Sequence, residues 1–366
     1  MALPTIEEYV ASISNPALVH VNELSGGHLV RMTTGAKRVI KYSGGFCCVF
    51  PYETTHKKYA VRCWHAAIED AKERTKKIAE ALAQSGLPYF VKFEYIDRAI
   101  ATPKGLQPIV LMDWVSATPL KEYIERNLHN QSRLLSLAEA FKKMAQDLHE
   151  HQFAHGDLQH GNIMVRDDGS IILVDYDSMF VPGLENMPDE IKGLPGYQHP
   201  AREDNQKANE KLDYFSELII YLSILVLAYN PSLATKYKFQ DSESMLFFLD
   251  DFKNIRSSQI FRDISDLKDK NKNIPLCLNR LCEYLDKSSI GDLVPLEDVV
   301  IDPLRKIIDV WPSPNPRHKT KPSKPADLAP IVTRWPKPST SKSAKSNNSQ
   351  LDVTELVNNW SGGKPK

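Results

Sequence analysis

Residues His155 to Asn162 read HGDLQHGN, and soon afterwards the apolar run Ile171-Ile172-Leu173-Val174 ends on Asp175. Just ahead of them, Leu134 to His151 carries Leu135, Ala138, Phe141, Met144, Ala145 and Leu148 at helical spacing, which is the stripe of a helix buried along one face. The chain must therefore leave a packed helix through a polar, glycine-containing loop and return as a short apolar strand with an acid at its end. Most acids in polar loops are only solvated. Here an Asp and an Asn five residues apart precede a second Asp in fixed order, and that order marks a candidate site.

Bulk composition sets the limits. In a chain of 366 residues, 46 Lys and Arg balance 46 Asp and Glu, so no strong overall field points to nucleic acid or a membrane. From Pro312 onward ten basic residues face three acidic ones, so a basic tail follows an acidic body. The cysteines at 47, 48, 63, 277 and 282 form no CxxC pair and no zinc-ligand pattern, and a reduced, cytoplasmic protein is the expectation. No signal peptide is visible after Met1. The most apolar run, Leu218 to Tyr229, is too short to span a bilayer.

Residues 1–35 open with an amphipathic stretch, Ile6-Glu7-Glu8-Tyr9-Val10 with Ile13, followed by a turn-rich segment. Arg38 to Tyr42 is expected as a strand, Ser43-Gly44-Gly45-Phe46 as a bend, and Cys47 to Phe50 as the far strand of a hairpin. Tyr59 to Trp64 forms the next strand, with Ala60 and Arg62 on one face. Ala66 to Ser85 has the apolar stripe Ala67, Ala71, Ile78 and Leu82 of a helix that Gly86 stops. Tyr89 to Glu94 and Ile109 to Met112 are expected as paired strands before Asp113-Trp114-Val115-Ser116. Beyond Asp175, the segment Tyr197 to Arg202 reads YQHPAR, and Leu212-Asp213-Tyr214 opens the long apolar run. Met245–Phe252, Leu276–Leu285 and Leu296–Val310 are expected as further helices.

In this order the motifs resemble those of protein kinases. The resemblance implies an α+β class: a bilobal protein-kinase-like fold with a small β-rich lobe holding one long helix, and a larger helical lobe. Expected boundaries are 1–35 for an N-terminal extension, 36–115 for the small lobe and hinge, 116–311 for the large lobe, and 312–366 for a disordered tail rich in Pro, Ser and Lys. Within that tail Leu351 to Trp360 forms a last apolar island that a short helix would suit.

By resemblance, Asp157 would orient the attacking hydroxyl and take its proton, while Asn162 and Asp175 would hold Mg²⁺ on the phosphates of ATP. Gly44, Gly45, Phe46 and Val49 resemble a degraded glycine-rich loop over those phosphates. Ala60 would touch adenine, and Arg62 stands where kinases keep a phosphate-holding Lys; Lys58 shares its strand face. The ion-pairing Glu of the long helix is Glu69, Glu73 or Glu80, with Glu73 taken. Met112 would guard the back of the pocket, with Asp113 and Val115 in the hinge, and Asp213 would either anchor the catalytic loop or cap its own helix.

HGDLQHGN, LVDYD and GYQHPAR look like a bacterial branch of eukaryotic-like protein kinases, which implies a protein substrate, Ser/Thr preference, and a phosphatase and a von Willebrand A-type protein as partners. Departures are explicit. Gly156 replaces the usual Arg, Gln159 replaces a Lys and could serve only as a neutral donor, and Tyr176-Asp177 replaces Phe-Gly. Two other functions fit the same residues: a pseudokinase without turnover, and a small-molecule phosphotransferase of the aminoglycoside-kinase type.

Overall fold

The computed structural model describes residues 3–33, 37–67 and 70–300. Its small lobe is an antiparallel sheet built from β1 (His28–Leu29), β2 (Tyr42–Ser43), β3 (Cys47–Glu53), β4 (Lys58–Trp64), β5 (Phe93–Thr102) and β6 (Gly105–Asp113). Strand order is β1-β3-β4-β6-β5, with β2 also paired to β3. The period-two alternation of strands divides their side chains between two faces. Cys48, Phe50, Val61, Cys63, Ile109 and Leu111 face a core that also contains Tyr9 and Ile13 of helix α1 (Ile6–Ile13). Cys47, Trp64 and Val110 form a separate cluster, with Ala71 and Met112 packed against it.

The N-terminal residues expected as an extension are thus part of the small-lobe core. A capping box begins α1: the Thr5 hydroxyl accepts from the Glu8 amide, and the Glu8 carboxylate accepts from Thr5 N–H. The Tyr9 hydroxyl then donates to the Trp64 carbonyl at 3.0 Å, pinning the helix to the end of β4.

Helix α2 (Ala71–Ser85) starts later than the sequence pattern suggested, because Asp70 adopts a left-handed conformation at its entry. Its end is as expected, at a left-handed Gly86. The expected strand over Tyr89 to Glu94 starts only at Phe93 and continues to Thr102. Tyr89 and Val91 bond to the large lobe instead: the Tyr89 carbonyl accepts from Leu173 N–H at 2.8 Å, and Val91 N–H donates to the Tyr176 hydroxyl at 3.0 Å. Arg38 to Ile40 pair irregularly with residues 30 to 32, so β2 is shorter than expected.

A short three-stranded sheet, β7 (Thr118–Pro119), β8 (Ile163–Val165) and β9 (Ile171–Leu173), lies in the large lobe. Around it run α3 (Leu120–Arg126), α4 (Gln131–Glu150), α5 (Tyr214–Tyr229), α6 (Ser232–Lys236), α7 (Leu249–Lys253), α8 (Gln259–Ser265), α9 (Asn273–Leu285) and α10 (Leu296–Val299). Residues 214–228 of α5 are all buried, as its nearly uninterrupted apolar sequence requires of a central helix. Met245, Leu246 and Phe247 are buried in a loop ahead of α7, where a helix was expected. The helix expected from Leu296 to Val310 ends at Val299, where Val300 leaves the helical conformation; residues 301–310, the 311/312 boundary and the tail lie outside the described residues. Among the described residues no helix is long and apolar enough to cross a membrane. The architecture is a kinase-like bilobal fold.

Candidate active site

The loop after α4 is held from beneath. Asp213, immediately before α5, accepts the main-chain N–H of His155 and that of Gly156, the latter at 2.9 Å. Of the two roles open to Asp213, the structure shows the anchor; its side chain makes no cap bond to its own helix. His155 Nε2–H donates to the Val174 carbonyl at 3.0 Å, and Val174 N–H donates to the Asn162 carbonyl at 3.0 Å. These bonds place the loop carrying Asp157 and Asn162 against the strand end carrying Asp175.

Asn162 is buried, and its Nδ2 donates both to the Asp157 carbonyl at 2.8 Å and to Asp157 Oδ2 at 3.0 Å. The other carboxylate oxygen of Asp157 accepts from Leu194 N–H at 3.0 Å. Burial raises the Asp157 pKa, opposed by His155, the Leu194 amide and Asn162, and reinforced by Asp175. Asp175 has φ of +67°, a left-handed conformation uncommon for a non-glycine residue, and its side chain is 49% exposed. Tyr176 is buried beside it, its ring 5.0 Å from Phe93 of the small lobe and 6.4 Å from His155. The Tyr176 hydroxyl donates to the Leu173 carbonyl at 2.7 Å while accepting from Val91, so this side chain ties the lobes together at the site.

A narrow cleft opens between β4, β6, α2 and this strand end, lined by Arg62, Val110, Met112, Ala71, Arg74, Thr75, Ile78, Phe93 and Asp175 to Asp177. Arg62, almost wholly buried, donates through Nε to Cys47 Sγ at 3.1 Å and lies 5.3 Å from the Trp64 ring. Its guanidinium is ion-paired with Asp177 and lies 4.0 Å from Asp175. Asp177 carried no expected role; the only sequence signal was a second acid two residues after Asp175. Leu194 carried none either, because a main-chain amide leaves no residue-type signature.

Other expected site residues divide. Ala60 is buried opposite Met112 in the β4–β6 register. Gly44 and Gly45 form the tip between β2 and β3, closed by Gly44 N–H to the Cys47 carbonyl at 2.9 Å, with Phe46 exposed beside it. Val49 pairs with Tyr42 on one side and Arg62 on the other. Trp114 N–H donates to the Lys58 carbonyl, and the Lys58 ammonium sits 4.2 Å from the Trp114 ring centroid. The Asp113 carboxylate accepts from Lys57 at 2.6 Å, and Val115 lies just beyond β6.

Glu73 does not join them. Its side chain is 69% exposed and its cation is Lys77 on the same helix, at 3.7 Å. Glu80 is also exposed, and Glu69 lies outside the described residues. The helix register explains this: α2 buries Arg74, Thr75, Ile78 and Leu82, which turns residues 73 and 80 to solvent. The Gln159 Oε1 accepts from Gly161 N–H at 2.6 Å, which folds the side chain along its own loop.

The donor set suits a magnesium nucleotide. Asn162 uses its Nδ2 on Asp157, Asp175 presents a half-exposed carboxylate, and a hard cation that keeps phosphate and water ligands needs no more than one or two protein oxygens. No curated protein matches this sequence. Residues 100–181 match the model of the ABC1 atypical kinase-like domain, a stretch from β5 to just beyond Asp177 that contains Asp157, Asn162 and Asp175. Fold and match together support a protein-kinase-like family.

Proposed function

We propose that this chain transfers the terminal phosphoryl group of ATP, with Mg²⁺, to a hydroxyl of a protein, Ser or Thr in preference to Tyr. The observation that supports the reading is the bonded chain from Asp157 through Asn162 to the strand end that carries Asp175, which brings together the residues this reading makes the base and the two cation ligands. Bound Mg²⁺ would supply neutralisation of the phosphate charge. The chain's own groups do the rest. Leu194 N–H and Asn162 Nδ2 fix the Asp157 carboxylate, which orients the incoming hydroxyl and accepts its proton late in the transfer. Asn162 and Asp175 would hold the cation. On this reading Arg62 would face the phosphates from β4, the Gly44-Gly45 tip would cover them, and Ala60, opposite Met112 in the sheet, would meet the base together with Met112 and the hinge main chain. Positioning and fixed charge supply most of the acceleration. A phosphatase and a von Willebrand A-type protein are the partners proposed from the bacterial eukaryotic-like branch.

The test is transfer from labelled ATP by the purified chain, with Asp157→Ala beside it, offered generic protein substrates and a panel of small hydroxylated metabolites. Mg²⁺-dependent labelling of protein that Asp157→Ala abolishes supports the reading. Labelling of metabolites alone would replace it by the small-molecule reading, and nucleotide binding without transfer by the pseudokinase one.

A further inference from the structure

A guanidinium buried as deeply as Arg62 needs a compensating negative charge, since removing it from water uncompensated is among the costliest events in folding. Helix α2 does not supply one. Toward the cleft it turns Ala71, Thr75 and Ile78, together with a second cation, Arg74, which donates to the Met179 carbonyl at 3.4 Å. The compensation comes from the loop after β9. Asp177 contacts the Arg62 guanidinium directly with its own side chain only 17% exposed, whereas Asp175 stands 4.0 Å away and 49% exposed.

Burial thus separates two carboxylates that are two residues apart. The inner one neutralises Arg62, and the outer one stays open to solvent for a cation. We infer that Asp177, in place of an acid on α2, is the positioning residue that holds Arg62 at the nucleotide phosphates; this rests on the phosphotransfer reading above. The counter-charge is carried by the same short segment as the metal ligand, anchored through Tyr176 and through Ser178, whose hydroxyl donates to the His155 carbonyl at 3.0 Å. The counter-charge to Arg62 thus comes from the segment after β9 and from no residue of α2. Cys47 and Trp64 complete the hold, fixing the Nε side of the guanidinium and one face of it.

The test compares full-length wild type with Asp177→Ala, Asp177→Glu, Glu73→Ala, Arg62→Ala and the Arg62→Ala/Asp177→Ala double variant. Two readouts are taken: affinity for a non-hydrolysable Mg·ATP analogue, and Tm without nucleotide. Asp177→Ala is expected to weaken the analogue about tenfold or more, Asp177→Glu to recover most of that, and Glu73→Ala to bind as wild type. In the Arg62→Ala background Asp177→Ala should cost no further affinity, and the two substitutions should be non-additive in Tm. Wild-type affinity in Asp177→Ala, a loss in Glu73→Ala of equal size, or a further loss in the double variant would overturn the assignment; the last would make Asp177 a cation ligand in its own right. Additive Tm effects overturn the pair whether or not nucleotide binds. Failure of wild type to bind the analogue while the Tm coupling persists would strike the phosphotransfer reading and leave the pair standing.

Discussion

Gly156 has φ of +78°, and a Cβ there would lie 2.1 Å from the Ser178 carbonyl oxygen. The loop after α4 and the segment after Asp175 run too close for a side chain, because Ala154 and Phe180 exchange two main-chain bonds beside that point. Gly156→Ala should therefore cost more than about 2 kcal/mol in urea denaturation, where an unstrained surface change stays within about 0.5 kcal/mol. At the site itself, Asp175→Ala should lower Mg²⁺-dependent nucleotide affinity at least about tenfold, while Asp157→Ala leaves affinity close to wild type and removes turnover. Equal loss in both, measured by titration with a fluorescent nucleotide, would contradict the division between cation ligand and base. Arg62→Ala should impair turnover and Arg62→Lys retain part of it. Unchanged kinetics in Arg62→Ala would transfer the phosphate role to Lys58, whose ammonium the structure places on the Trp114 ring instead.

Among the elements, the segment from Asp189 to Arg202 is ordered by its own charges. Arg202 donates to both oxygens of Asp189 at 3.0 and 3.1 Å, both side chains are almost wholly buried, and Asn205 adds a bond to the same carboxylate at 2.9 Å. Loop ordering that a phosphate and an Arg provide elsewhere is here provided by this pair. Between Asp177 and Pro200 the only hydroxyl side chains are Ser178 and Tyr197. Both are buried; Ser178 donates to His155, and the Tyr197 hydroxyl lies 2.6 Å from His160 Nδ1, whose pKa burial depresses to about 3. Activity should therefore be unchanged by phosphatase treatment. Mass spectrometry finding an activity loss that tracks a phosphate on either residue would refute this. Breaking the pair is a separate matter: Arg202→Met leaves the buried Asp189 with only Lys192 at 3.4 Å and Asn205, and should cost up to about 3 kcal/mol by thermal or urea unfolding. The absence of a phosphate-binding Arg was legible from Gly156 alone. The Asp189–Arg202 pair that orders the segment instead was not, since an Asp and an Arg thirteen residues apart carry no signal until the segment folds back on itself.

For the molecule as a whole, α1 and the α4–α5–α10 junction set the limits of stability. Removing residues 1–15 would uncover the small-lobe core that Tyr9 and Ile13 close, at up to about 1.5–3 kcal/mol for each side chain, and should weaken nucleotide binding with it. Wild-type stability and affinity in that truncation would show α1 to be dispensable. In the large lobe His149 lies 2.9 Å from Glu217 on α5 and 2.9 Å from Glu297 on α10, with the Tyr214 ring packed edge-on against it. Burial disfavours its charge, but the two carboxylates outweigh that and raise its pKa to about 10. The folded protein thus keeps a proton that the unfolded chain releases near pH 6.5. The stabilisation is complete below that pH and is lost as pH rises through about 10, so Tm should fall across this window and His149→Gln should flatten the fall. The kinase-like class came from the resemblance that the motifs carry; helical stripes, the apolar run of α5 and the Asp157–Asn162–Asp175 order are local patterns and were readable from residue spacing. The course of α1 over the sheet, the turning of Glu73 to solvent and the pairing of Arg62 with Asp177 were not. Each depends on which face of a helix or strand meets a distant partner; here α2 buries Arg74, Thr75, Ile78 and Leu82, and that choice of face sends Glu73 to the solvent.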